Sequence, residues 1–527
     1  SGLESRYEDV LRGTEGSYLR QVDARNRQLD GTEGWYIPSQ QGCGLVLTID
    51  AEIQEMVEKA MRECIEVNQA QSVICLVSDV KTGAILAMCM NPCYDPNDPP
   101  RNDAETLTEL MRLTAISDVY EPGSTFKILT AASALDSGVT TPQDSFYCSA
   151  KITVDGDTIR CWGRPHGAET MADGLKNSCN PVFVELALRM GTDTFYRYLT
   201  AFGLGKKTGI DLPGESPGIL ITSRNVKRVD LARIGFGQSV ALTPIQMMMA
   251  ANSVINGGKL MKPYIVSEIQ TPDGETLERF HPTVMAAPIR PETSDTMRLL
   301  LERVVSEGGG KNAAIAGYRI GGKTGTAQVY KNGRVVRDTH IGSFYGFAPV
   351  NDPQVSILVI VKEADVPIDY GGTTAAPFAR QIMQEMLPYL GIDPENDEKD
   401  EEIEVPALKG LTIGDAKRKL SQVGLESVTD GANTVVLDQL PPAGAKLVKG
   451  GHVMLYTAGS EELTPEELVC VPDLTGLGDV DCARLVRQRG LTMSMTGQGL
   501  CTEQSPAAGE YVQPGTTIFL LMAGDDE

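Results

Sequence analysis

The chain has 527 residues, 41% of them hydrophobic, and a formal net charge of −23. That much apolar material builds at least one large core, and the length leaves room for three or four domains. A phosphate-binding surface needs a clustered Lys/Arg excess, so the acidic balance argues against a nucleic-acid partner and makes polyanions poor ligands.

The longest apolar strand-like run, Val355 to Val361 with one Ser inside it, is far shorter than the roughly 20 residues of a membrane-spanning helix. The chain opens Ser1-Gly2 without a Met, which reads as a processed or truncated product whose targeting segment lies upstream.

In chain order, residues 45 to 66, LVLTIDAEIQEMVEKAMRECIE, predict a strand and then a helix with Asp50 as N-cap; Ile53, Met56, Val57, Ala60, Met61 and Cys64 recur at helical spacing. SVICLVSD and AILAMCM, split by Val80-Lys81-Thr82-Gly83, predict a β-hairpin, so this first Lys-Thr-Gly reads as a turn. Cys64, Cys75, Cys89 and Cys93 read as small core residues. In YEPGSTFKILTAASAL, Pro122-Gly123 ends one segment and a helix is expected from about Ser124, placing Ser124 and Lys127 on one face at i,i+3. The other Ser-x-x-Lys, Ser78 to Lys81, lies at a strand end, where i and i+3 point to opposite faces.

A second Lys-Thr-Gly, in GLGKKTGIDLPGE, is framed by Gly and Pro and reads as a loop. The third, in GGKTGTAQ, reads as a strand whose leading small residues leave room for a substrate. SFYGFAPVNDP followed by ILVIV predicts another hairpin, and residues 374 to 390 an amphipathic helix. PENDEKDEEIE, residues 394 to 404, carries seven acidic side chains against one Lys, a composition that self-repels and stays solvated as a linker.

Beyond it lies an internal repeat. Val405-Pro406-Ala407-Leu408-Lys409-Gly410 is echoed by Val471-Pro472-Asp473-Leu474-Thr475-Gly476, and Gln-x-Pro-x-Ala-Gly occurs at 439 to 444 and again at 504 to 509. Two copies of a βαββ unit are expected.

Serine acyl transfer built on Lys-Thr-Gly also needs a Ser-x-x-Lys and a Ser-x-Asn. The order Ser124 to Lys127, Ser178-Cys179-Asn180, Lys323-Thr324-Gly325 supplies all three. YEPGSTFK, SCNP, FGQSVALTPIQ, GGKTGTAQ and SFYGFAP together resemble a class B penicillin-binding protein, a peptidoglycan D,D-transpeptidase of the cell-division or sporulation type. The C-terminal repeats resemble PASTA modules, and GTEGSYLRQVDARNR looks like the tail of the family's N-terminal pedestal.

The resemblance implies a multidomain α/β chain: a truncated, β-rich, dimerisation-like pedestal segment at 1–44, a penicillin-binding-protein/serine β-lactamase-like transpeptidase domain at 45–393, an acidic linker at 394–403, and small α+β PASTA modules at 404–460 and 468–524. Ser124 would attack the carbonyl between the terminal D-Ala residues of a stem peptide, with Lys127 as base. Ser178 and Asn180 would relay the leaving-group proton and hold the substrate amide. Lys323, with Thr324, Gly325 and Thr326, would form the strand that binds the terminal carboxylate. Backbone N–H groups of Ser124 and Thr326 would make an oxyanion hole, an element worth about 3 to 4 kcal/mol.

The implied partners are peptidoglycan stem peptides, β-lactams and a glycosyltransferase in the membrane. The implied location is the extracytoplasmic face, reached through an N-terminal transmembrane anchor that this chain does not include. A non-turnover penicillin-binding sensor or wall-binding scaffold is the alternative, and a serine β-lactamase a weaker one, since the repeats have no purpose there.

Residues 148 to 180 add a cluster that this chemistry does not require. Cys148 and Cys161 flank a hairpin centred on Asp155-Gly156-Asp157, His166 follows, and Cys179 lies inside the Ser-x-Asn motif. Three Cys and one His make a tetrahedral zinc set, though not at the spacing of a standard finger. A structural zinc, a Cys148–Cys161 disulfide favoured by an extracytoplasmic site, and free thiols remain open; the chemistry itself needs no cofactor.

Overall fold

The computed structural model describes residues 2–523 apart from 26, 28–34, 164, 332–333, 395–401, 430–434, 449–450, 458–468, 473, 498, 507, 509–510 and 513–514. Most of the expected acidic linker at 394–403 lies outside the described residues. The chain divides into two compact units, residues 1–404 with 446–452, and residues 405–445 with 453–527.

The first unit is built on a five-stranded antiparallel sheet of β1 (Ser72–Asp79), β2 (Ile85–Asn91), β3 (Gly321–Lys331), β4 (Arg334–Ala348) and β5 (Val355–Lys362), in the order β3-β4-β5-β1-β2. Both faces are covered. On one, Val73, Cys75, Val77, Val359 and Val361 pack with α1 (Ala51–Val67) and α6 (Ala376–Tyr389). On the other, Ile74, Leu76, Leu358 and Ile360 join a larger core with α2 (Lys127–Asp136), α3 (Asn180–Ala201), α4 (Pro244–Ile255) and α5 (Pro291–Ser306).

Successive strand residues point to opposite faces, so a strand buried on both sides reads as an unbroken apolar run. That is why ILVIV shows no alternation. Each such side chain contributes about 1.5–3 kcal/mol of burial.

The Asp50 cap forms as expected, its carboxylate accepting from the N–H of Glu52 and Ile53. The predicted strand at the start of that segment, Gly44–Leu47, pairs outside the main sheet, with Val266–Gln270. In the segment before it, the described residues include two short helices, Gly2–Arg6 and Glu8–Leu11, and a ribbon of Ser17–Leu19 with Trp35–Ile37. The helix expected from 374 to 390 is interrupted at Ala375, with Gly371–Thr374 forming a separate turn. Cys64, Cys75 and Cys89 are buried, but Cys93 is exposed, just past the end of β2, and is no core residue.

Each repeat carries more strands than the expected βαββ. The first runs strand Glu402–Glu404, helix Ile413–Gln422, then strands Glu426–Thr429, Asp438–Leu440, Lys446–Val448 and His452–Tyr456. The second repeats that order from Val469–Cys470 to Thr517–Ala523. Several of these strands span only two or three residues, too few to show a period of two.

Candidate active site

The segment before Ser124 is anchored by paired backbone hydrogen bonds between Tyr120 and Leu242, and Gly123 donates its N–H to the Gly237 carbonyl at 3.1 Å. Residues Gly123–Phe126 form a 3₁₀ turn, and the α-helix begins at Lys127, later than the sequence suggests. Residues i and i+3 eclipse in a 3₁₀ helix, so Ser124 and Lys127 leave the same side of the turn, and the Lys127 amine itself reaches Ser178 and Asn180.

Gly123 has φ +53°, and a Cβ there would stand 2.6 Å from the Thr326 carbonyl. The Ser124 turn and β3 are therefore in close backbone contact. Gly325 closes the same seam, since a Cβ would meet Ser343 Oγ at 2.4 Å and Thr125 Cγ2 at 2.9 Å. The leading glycines do something other than expected. A Cβ on Gly321 would strike the Phe347 ring at 2.3 Å, and one on Gly322 the Tyr345 carbonyl at 2.6 Å and the Phe344 ring at 2.7 Å. Their space is filled by core aromatics, and they make no room for a substrate.

Ser178 occupies the left-handed region at φ +55°, a conformation that costs a non-glycine residue about 1–3 kcal/mol and clusters at functional sites. It follows the helix Met171–Lys176 and precedes α3, with Cys179 donating its N–H to the Gly174 carbonyl. Lys127 Nζ donates to Ser178 O at 2.6 Å, Asn180 Oδ1 at 2.7 Å and Ser178 Oγ at 3.1 Å. Asn180 Nδ2 donates to the Arg160 carbonyl at 3.0 Å, which fixes the orientation of its amide. From the other side, Lys323 Nζ reaches Ser178 Oγ at 3.0 Å and Thr324 O at 3.0 Å. The structure thus gathers Lys127, Ser178, Asn180 and Lys323 into one network beside the turn that carries Ser124. The Thr326 hydroxyl accepts from Gly371 N at 3.4 Å.

Both lysines are fully buried. Burial brings the Lys127 amine down to about 7, against a smaller opposing pull from Cys161, Cys179 and Glu169. Lys323 is held well below its ordinary value by burial and then by the Lys127 charge. Two amines around one hydroxyl cannot both carry a proton cheaply, so the site favours a neutral amine near neutral pH, as a general base requires.

The other two Lys-Thr-Gly triplets sit apart from this network. The first lies in the β1–β2 turn, where Asp79 Oδ1 accepts from Lys81 N and Thr82 N. In the second, Glu215 accepts from Thr208 and Gly209.

Cys148, Cys161, His166 and Cys179 converge beside the Ser-x-Asn loop, with one ligand atom from each lying within 4.8 Å of the others. A hydrogen bond between the Cys161 and Cys179 thiols lowers the proton affinity of Cys161 and raises that of Cys179. Sequence reasoning missed Glu169, a buried carboxylate 3.8 Å from His166 Nδ1. It also missed Glu121, whose Oε1 accepts from Ser239 N at 2.9 Å. Neither belongs to a spacing motif that could have flagged it.

Comparison with known proteins finds two domain families along the chain. The penicillin binding protein transpeptidase domain matches residues 73–384 and the PASTA domain residues 403–459 and 469–524. Stage V sporulation protein D of Bacillus subtilis is 37% identical over 472 residues, covering 88% of this chain and 72% of that protein. Peptidoglycan D,D-transpeptidase FtsI of Escherichia coli is 29% identical, over 75% of this chain and 64% of that protein. Among solved structures, penicillin binding protein 3 of Mycobacterium tuberculosis complexed with ampicillin superposes with a TM-score of 0.66 at 28% identity, covering 75% of this chain and 85% of that one. Penicillin binding protein 2X of Streptococcus thermophilus, at 21% identity and TM-score 0.65, shares the fold over 99% of this chain and 78% of that one.

Proposed function

Because the chain belongs to the penicillin-binding protein transpeptidase family, we propose that it is a serine D,D-transpeptidase that cross-links peptidoglycan stem peptides in septal or spore-wall synthesis and is acylated by β-lactams. The observation that carries this reading is the convergence of two buried lysines on Ser178 beside the Ser124 turn.

Ser124 Oγ attacks the carbonyl of the penultimate D-Ala and passes its proton to the neutral Lys127 amine. The oxyanion is met by backbone N–H groups of Ser124 and Thr326. The C–N bond to the terminal D-Ala breaks, and that amine leaves with a proton relayed through Ser178. An amine from a neighbouring stem peptide then attacks the ester, gives up its proton and restores the Ser124 hydroxyl. Asn180 holds the substrate amide, and Lys323 with Thr324 and Thr326 binds the terminal carboxylate. On this reading the catalytic domain works at the extracytoplasmic face, with a membrane glycosyltransferase as partner. Among the described residues no helix is long and apolar enough to cross a membrane.

Incubation with lipid-linked substrate and a glycosyltransferase tests the activity. Cross-linked dimers with one D-Ala released per cross-link are expected; acylation by penicillin without cross-links would instead support a sensor.

Cys148, Cys161, His166 and Cys179 would hold one structural zinc that braces the loop carrying Ser178 and Asn180. A thiolate sulfur and an imidazole nitrogen on one tetrahedral zinc stand about 3.5 Å apart; Cys161 Sγ and His166 Nδ1 are 3.8 Å apart and all four ligand atoms lie within 4.8 Å of one another, so the donor set fits with a small inward movement. Metal analysis should find one zinc per chain, and Cys179→Ser should lose it and acylate slowly. A Cys148–Cys161 disulfide in metal-free protein handled without reductant would overturn the zinc.

A further inference from the structure

The residue three positions before the nucleophile is a glutamate that the chemistry above does not use. One of its oxygens accepts from Ser239 N at 2.9 Å; the other is buried and has no hydrogen-bond partner among the described residues. Leaving one oxygen of a carboxylate buried and half-satisfied is costly, which makes the bond it does form to Ser239 the natural place to look for its role. Burial raises the proton affinity of this carboxyl, while the Ser239 N–H and the Arg233 charge oppose that rise.

What it holds is itself strained. Ser239 has φ +58°, a left-handed conformation that a residue with a Cβ adopts at a cost. The segment is tied to the helix Arg228–Ile234 by Gln238 N to Arg233 O at 3.0 Å and Gly237 N to Ile234 O at 3.0 Å. Gly237 then lies against the nucleophile turn so closely that a Cβ would stand 2.1 Å from the Gly123 carbonyl and 2.7 Å from Phe126 Cβ. Gly123 in turn abuts the Thr326 carbonyl. The nucleophile turn is thus wedged between the 237–239 segment and β3, and Glu121 is the side chain that spans from that turn to the far end of the segment.

We infer that Glu121 is a positioning residue for the nucleophile: by holding Ser239 in its left-handed conformation it keeps the 237–239 segment pressed on the Gly123–Ser124 turn, and so fixes where Ser124 and its N–H stand relative to Lys127 and Thr326. The inference rests on Ser124 being the acylated serine. Absence of a Ser124 adduct in the unaltered chain would defeat that reading, whereas the mutant cycle that follows bears on the strap alone.

The test is a mutant cycle on single-turnover acylation by penicillin, reading the saturating rate and the half-saturating concentration separately, with thermal melting alongside. Glu121→Ala should lower the saturating rate between about 10-fold and 100-fold, the size expected of a misplaced reacting group, with little change in the half-saturating concentration. Glu121→Gln keeps an acceptor oxygen and should stay within about threefold of the unaltered chain. Glycine adopts the left-handed region without penalty, so the Glu121→Ala defect should be much smaller in a Ser239→Gly background. Should Glu121→Ala fail to fold, Glu121→Asp, one methylene short of the Ser239 N–H, takes its place. Equal rates for Glu121→Ala and the unaltered chain, equal losses for the Ala and Gln variants, or an undiminished defect in the Ser239→Gly background would each overturn the inference.

Discussion

Lys81-Thr82-Gly83 and Lys323-Thr324-Gly325 are the same three residues in the same domain, and they do opposite things. Lys81 is exposed and pairs with Asp352 at 2.7 Å, each side chain more than half solvated. Its triplet is the turn of a hairpin, and Gly83 is needed there for its φ of +82° and for the 2.7 Å approach of the Lys262 carbonyl. Lys323 is fully buried within reach of Ser178, and Gly325 is needed for space against Ser343 of the neighbouring strand and the Ser124 turn. The difference lies in the dielectric and the neighbours: an exposed surface pair is worth about 0–1 kcal/mol, whereas a buried amine aimed at a hydroxyl has its proton affinity and position fixed by the fold.

The largest effect that can break this contrast comes from removing each amine. Lys323→Ala should cut the rate of acylation by penicillin at least about 100-fold, comparable to losing a preorganised electrostatic group, while Lys81→Ala should leave it within about twofold. Stopped-flow labelling of both variants checks this, and similar rates for the two would remove the distinction.

The pH dependence sharpens it. Because burial brings Lys127 down to about 7, the amine is protonated and useless as a base below that value and neutral above it. The acylation rate should therefore rise with pH through about 7, by about tenfold from about pH 6 to about pH 8. A flat profile over that range would show that Lys127 is not the titrating base.

The smallest effect concerns the second compact unit. A chain ended near Gly391 should label with penicillin within about threefold of the full rate, since the catalytic network lies wholly in the first unit. A loss beyond about tenfold, or about 1.4 kcal/mol in barrier, would show that the repeats shape the site.

What was legible in the sequence follows from local physics. The Asp50 cap and the hairpin at 80–83 each depend on residues close in the chain, and each formed; the three motifs are legible one by one, but the meeting of Lys127 and Lys323 on Ser178 spans 51 and 145 residues. What was not legible depends on distant packing. Gly321 and Gly322 looked like clearance for a substrate because the rings of Phe347 and Phe344, which fill that space, lie on the neighbouring strand. Glu121 and Ser239 are 118 residues apart, and Glu169, though only three residues from His166, belongs to none of the motifs that pointed to the site. Cys93 sits in an apolar stretch but falls beyond the end of its strand, where the core no longer covers it.

Peptide mapping by mass spectrometry after one dose of penicillin tests the central claim most directly. The account predicts a single penicilloyl adduct, on the peptide containing Ser124, lost in Ser124→Ala and kept in Ser78→Ala. An adduct on any other residue, or one that persists in Ser124→Ala, would contradict it.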